Sequence, residues 1–158
     1  MVVKDGLKEC PIARKLLSDM SAIVKYMKKA HLMSELRRLT GKGLILVMVV
    51  RWNASLDMSM RYAEEDVFKV TNKLLVEVNQ TSKGKEKPPK PISNRQHILD
   101  LIDMLEPFTE GTDSLQGDGV TAPLVIPTLL GEYRELEKSL TRGTAFKGLI
   151  KALMRSME

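Results

Sequence analysis

Residues 43–62 read GLILVMVVRWNASLDMSMRY, and the fold turns on how the first half of that stretch is taken. Leu44 to Val50 is an unbroken run of seven apolar residues. Val47, Val49 and Val50 are β-branched, and Gly41 and Gly43 stand in front of the run. A short apolar run of this kind, bounded by glycines, reads as a strand buried on both faces. Its unpaired edge would favour self-association. Arg51 and Trp52 follow at the carboxyl end, where open α/β sheets place functional groups. Trp52 is the single Trp of the chain, so this pair leads the candidate site residues.

Working outward, the spacing predicts helices on both sides. Pro11 suits a first helical turn, where its missing N–H would have no partner anyway. Ile12, Leu16, Met20, Ile23, Val24 and Met27 recur at helical spacing after it. A second, short helix is expected from His31 to Leu39, stopped by Gly41 and Gly43. Beyond the strand, Asn53 or Ser55 is placed to cap a helix running to about Asn79, with Met60, Ala63, Val67, Val70, Leu74 and Val78 inward. Residues 81–93, TSKGKEKPPKPIS, change character and read as a disordered basic loop. Ser93 or Asn94 opens a helix that Pro107 bends or restarts. Gly117 to Gly119 is a turn. Thr121 caps a further helix with Leu124, Leu130, Tyr133, Leu136 and Leu140 as its packing face. Gly143 ends it. A last helix carries Phe146, Leu149, Ile150, Leu153 and Met154 on one side and Lys147, Lys151 and Arg155 on the other.

The whole chain sets bounds on this. Its 158 residues are 43% hydrophobic and 28% charged, enough for a core. The formal net charge is +5, compatible with an acidic partner or with an ordinary solvated surface. Cys10 stands alone, which excludes an internal disulfide and leaves a buried thiol as its reading. No signal-peptide apolar region opens the sequence. Leu44–Val50 is far too short to span a bilayer.

Three stretches in order resemble one family. Val50-Arg51-Trp52-Asn53-Ala54-Ser55, with Asp57-Met58, resembles the Thr-Arg-Trp-Asn-Ser-Thr-Tyr-x-Met segment of hAT-superfamily transposases. That family includes host proteins derived from them, often with BED-type zinc fingers. Val50 stands where the family has Thr, and Leu56-Asp57 where it has Thr-Tyr. Val3-Lys4-Asp5-Gly6-Leu7 is similar to the end of the family's Cys-x-x-His segment. Leu105-Glu106-Pro107-Phe108, Thr112, Leu115 to Gly117 and Thr121 to Pro127 resemble its later Leu-x-Pro-Phe to Val-x-Pro pattern.

The resemblance implies an RNase H-like core that uses three metal-binding carboxylates, all outside the segments matched here. It therefore implies a mainly α chain with one buried β-strand: residues 1–80 from a truncated core, 81–93 the basic loop, 94–158 part of an all-helical insertion. By the same resemblance Trp52 lies beside the active site and stacks on a base, a contact worth about 1–3 kcal/mol, while Arg51 reaches phosphate. The expected product is a truncated or domesticated transposase derivative in the nucleus, without catalytic activity, keeping DNA or chromatin association.

Other chemistry has no signature. Gly41-Lys42-Gly43 lacks the Lys-Ser/Thr of a phosphate cradle. His31, His97 and Cys10 have no partners at metal spacing, so no metal, cofactor or small-molecule substrate is expected, and no membrane. The candidate nucleic-acid residues are Arg51, Trp52, Lys83, Lys85, Lys87 and Lys90. The alternative is a helical protein–protein interaction fragment with no nucleic-acid role, which would use the apolar faces of its helices instead.

Overall fold

The computed structural model describes residues 2–47, 52–82, 86–116 and 122–158, and for residues 2, 113–116, 122 and 124 the backbone alone. Among these residues there are eight helices: α1 (Val2–Glu9), α2 (Pro11–Lys29), α3 (Leu32–Thr40), α4 (Trp52–Ala63), α5 (Glu65–Thr81), α6 (Arg95–Gln116), α7 (Ala122–Arg142) and α8 (Lys147–Met157).

The expected strand is not there. No described residue belongs to a strand; residues 44–47 cross between α3 and α4 outside regular structure, and residues 48–50 lie outside the described residues. A strand needs neighbouring edges to take up its N–H and C=O groups, and the described chain supplies none. The Leu44 N–H donates to Met33 Sδ at 3.3 Å instead, and the Gly43 carbonyl accepts from Arg61 Nη1 at 3.4 Å. Burial is one-sided too: Leu44 is buried while Ile45 is exposed. The RNase H-like core is therefore not seen. The strand edge expected to drive self-association is not formed over the described part of the run.

The chain divides into two compact units. Unit 1 is Met1–Arg14 with Asp100–Glu158, and unit 2 is Lys15–Leu99.

In unit 2 the spacing of α2 works as expected. Leu16, Met20, Ile23, Val24 and Met27 are all buried, the consequence of apolar residues recurring every three or four positions. His31 adopts φ 57° between α2 and α3, a left-handed conformation that His tolerates better than most residues. α3 ends at Gly41, whose N–H donates to the Arg37 carbonyl at 2.8 Å. Both α3 and α4 pack on α5.

The single helix expected from Asn53 or Ser55 to Asn79 is two. Asn53 and Ser55 lie inside α4, and the chain breaks at Glu64, where ψ is 130°. The cause is distant in sequence. Arg95 Nε donates to the Ala63 carbonyl at 2.6 Å, taking the acceptor that a continuous helix would offer to the residue four positions on. The Val67 N–H turns to Asp66 Oδ1 at 2.9 Å. Glu64 itself is held by Lys42 and by Arg61 Nε at 3.0 Å. Met60, expected inward, is exposed.

Tyr62 sits fully buried beside this break, its ring edge-on to Phe68 with centroids 6.0 Å apart. Burial pushes its phenol far above the ordinary value, and its hydroxyl has no hydrogen-bond partner among the described residues. Leaving such a group buried and unpaired costs about 1–3 kcal/mol. Tyr62→Phe is therefore expected to hold or raise the urea midpoint. A loss of more than about 1 kcal/mol would show that the hydroxyl is satisfied in solution.

The basic Pro/Lys tract is anchored where it is described. Glu86 pairs with Lys29 Nζ at 2.7 Å, and the Ile92 carbonyl accepts from Asn72 Nδ2 at 2.9 Å. This differs from the disordered loop read from composition: two side chains of unit 2 hold it.

Unit 1 joins the two ends of the chain. Residues 3–7, read above only through a resemblance, form most of α1, which packs on α8. A Cβ on Gly6 would stand 2.6 Å from Leu153 Cδ2, so a residue without one is what lets the buried Leu153 side chain sit against this helix. α6 starts as expected at Asn94, whose Oδ1 accepts the Gln96 N–H at 3.0 Å, satisfying one first-turn donor. It then runs through Pro107 without ending there. Gly117 to Gly119 and Thr121 lie outside the described residues.

Candidate binding face on the α7–α8 hairpin

α7 reads APLVIPTLLGEYRELEKSLTR and α8 reads KGLIKALMRSM. The helices pack on one another and are joined by a tight connection. Gly143 takes φ 77°, where a side chain would be strained. Thr144 Oγ1 then accepts the Phe146 N–H at 3.2 Å, and the fully buried Phe146 ring closes the elbow. α8 is anchored by Leu149, Ile150, Ala152 and Leu153, all buried.

Those anchors leave a different set outward. On α7, Ile126, Leu130, Arg134, Lys138 and Arg142 recur every fourth residue, so they form one slowly turning stripe. Ile126 is 69% exposed and Leu130 54%, although Leu130 was expected in the packing face; of the members of that face whose side chains are described, Leu136 is the buried one. On α8, Lys147, Lys151 and Arg155 repeat the same spacing opposite the buried residues. Arg155 lies 3.8 Å from Glu9 of α1. Arg134, Arg142, Lys147 and Lys151 are exposed and have no ion pair among the described residues.

Between the two helices runs an open groove of about 530 Å³, lined by Arg134, Glu137, Lys138, Leu140, Thr141 and Met154. Leu140 and Met154 are its apolar lining, and its charged residues are Arg134, Glu137 and Lys138. Lys147 and Lys151 stand seven and three residues before Met154, on the same side of α8, but do not line the groove. The Lys138 ammonium bonds Glu135 at 2.5 Å and holds that carboxyl below the ordinary carboxylate range. On the α6 side of α7, desolvation moves Glu132 the other way, above it.

Of the residues singled out from sequence, those described do not line this groove. Trp52 is 8% exposed at the first turn of α4, so it presents no ring face to a base. Arg51, Lys83 and Lys85 lie outside the described residues. Lys87 and Lys90 are exposed in unit 2. Among the described residues no group of three or more His, Cys, Asp or Glu could hold a metal, and no helix is long and apolar enough to cross a membrane. Unit 2 has its own open cleft of about 470 Å³ beside α2 and α4, lined by Leu17, Ala22, Val47 and Met58 together with Ser18, Ser21, Lys25 and Ser55. Comparison of the chain with family models, with curated proteins and with solved structures finds no match.

Proposed function

We propose that this chain works by binding rather than by catalysis, as a helical protein–protein interaction module whose working face is the α7–α8 hairpin. The observation that carries the reading is the exposure of Ile126 and Leu130 on α7 beside an open groove with Leu140 and Met154 in its lining. Apolar side chains grouped next to a groove mark interaction surfaces, whereas scattered ones are ordinary. The other exposed large apolar residues, such as Ile12, Met60 and Val76, belong to different helices.

A photo-crosslinking amino acid placed at 126 or 130 tests this in cells that make the protein. Discrete crosslinked partners are expected from those positions and not from position 76 of α5, which is similarly exposed. Equal yields from all three positions would remove the hairpin from consideration.

A second reading keeps the ancestry suggested by the sequence: a domesticated hAT-type derivative in the nucleus that associates with DNA. Exposed Lys87 and Lys90, within the basic tract, favour it; Trp52, being buried, does not. Each phosphate neutralised steepens the log–log salt dependence of binding by about 0.9. Replacing Lys83, Lys85, Lys87 and Lys90 by Ala is expected to flatten the slope on duplex DNA by about 3.6 if each meets one phosphate. An unchanged slope would count against this reading.

A further inference from the structure

We propose that Thr40 is a phosphorylation site for a protein kinase that reads basic residues ahead of its acceptor, and that Arg37 and Lys42 receive the phosphate.

The sequence here is Arg37-Arg38-Leu39-Thr40-Gly41-Lys42. Of all the Ser and Thr in the chain, Thr40 alone has Arg at both the second and the third position before it. Kinases choose substrates by such charge patterns. The step is a phosphoryl transfer from ATP. Thr40 Oγ1 bonds to the γ-phosphorus, the bond from that phosphorus to the ADP oxygen breaks, and the hydroxyl proton passes to the kinase's base.

The fold leaves the site within reach of a kinase. Arg37, Arg38 and Leu39 are exposed and Thr40 is half-buried. Thr40 is also the last residue of α3, whose buried side chain, Leu36, lies before the motif. Opening the final turn breaks the bonds from the Gly41 N–H to the Arg37 carbonyl and from the Thr40 hydroxyl to the Leu36 carbonyl, each 2.8 Å. It exposes no core side chain, which makes it a low-cost local opening. Ser18 is the contrast. Arg14 and Lys15 precede it, but it lies in the middle of α2 between buried Leu16 and Met20, where opening would unpack the core.

Cations also stand where the phosphate would be. Arg37 is three positions before Thr40, on the same side of α3. A Cβ on Gly43 would meet its Nε at 2.8 Å, so its guanidinium reaches over the residues that follow Thr40. It has no ion pair among the described residues. The Lys42 N–H already donates to Thr40 Oγ1 at 3.2 Å. The Lys42 ammonium pairs with Glu64 and lies 3.9 Å from Asp66. A phosphate carries about 1.5–2 negative charges at pH 7. It therefore competes with Glu64 for Lys42 and engages Arg37 through charge-assisted bonds. The last carbonyls of α3 repel the same charge. Phosphorylation thus loosens the end of α3 and draws Lys42 away from the break between α4 and α5.

The test incubates the full chain with ATP and a purified kinase that requires Arg two and three residues before its acceptor. Fragmentation mass spectrometry maps the sites. Thr40 is expected to be modified at least tenfold faster than Ser18. Thr40→Ser should remain a substrate. Arg37→Ala with Arg38→Ala should slow the reaction at least tenfold with unchanged circular dichroism. The second ionisation of the phosphate, followed by phosphorus NMR, should fall below its ordinary value of about 6 and return toward it in Lys42→Ala. Hydrogen exchange should quicken across residues 37–43.

Modification of Thr40 no faster than that of Ser18 would overturn the proposal. So would modification that begins only once urea has unfolded the chain, or an undiminished rate in the double Ala variant. A phosphate that titrates at its ordinary value in the parent chain would remove Arg37 and Lys42 as its receivers.

Discussion

Trp52→Ala is expected to cost about 3–5 kcal/mol of folding stability, the range for truncating a large buried aromatic. Trp52 opens α4 with 8% of its surface exposed, and the same helix buries Leu56, Met58, Tyr62 and Ala63. Removing the indole loses its transfer free energy and leaves a void that rigid neighbouring helices close only in part. Domains of this kind are stable by only about 5–15 kcal/mol, so the loss is a large share. Urea unfolding followed by circular dichroism at 222 nm measures it. A variant within about 1 kcal/mol of the parent would show that the indole leaves the core in solution, which would reopen its use as a stacking surface.

Phe146→Ala is the second large effect, also about 3–5 kcal/mol, with a local consequence that Trp52 does not share. Phe146 is fully buried at the elbow; its N–H is bonded to Thr144 and its carbonyl accepts the Ile150 N–H at 3.1 Å. The ring thus fixes where α8 starts relative to the end of α7, and with it the width of the groove. Hydrogen exchange should rise first across residues 143–157. Crosslinking from positions 126 and 130 should fall even under conditions where the rest of the chain stays folded. Phe146→Leu fills much of the space and is expected to cost less than about 1.5 kcal/mol, keeping both the hairpin and the groove. Loss of the groove in Phe146→Leu as well would mean that the aromatic ring, and not the filled volume, sets the hairpin.

Much of the helical content was legible because its signals are local. The α2 stripe from Leu16 to Met27, the Asn94 cap, the Gly41 and Gly143 stops and the α8 anchors each depend on spacing within one helix or on one residue's backbone preference. The charged stripe Lys147, Lys151, Arg155 was legible for the same reason. The break at Glu64 was not, because a guanidinium from Arg95 causes it.

The sequence by itself determined most of the segments that coil into helices, and that Cys10 would be a lone buried thiol. It did not determine the fate of residues 44–47: a β-branched apolar run states that a segment wants burial, and only the presence of a partner edge makes it a strand. Nor did it determine that residues 3–7 form a helix against α8, or that Leu130 faces outward and Trp52 inward. Those outcomes depend on which helix meets which, through contacts between residues far apart in the chain. The candidate site is of that kind: Leu140 of α7 and Met154 of α8, each patterned within its own helix, come to line one groove only when Phe146 is buried and the hairpin closes.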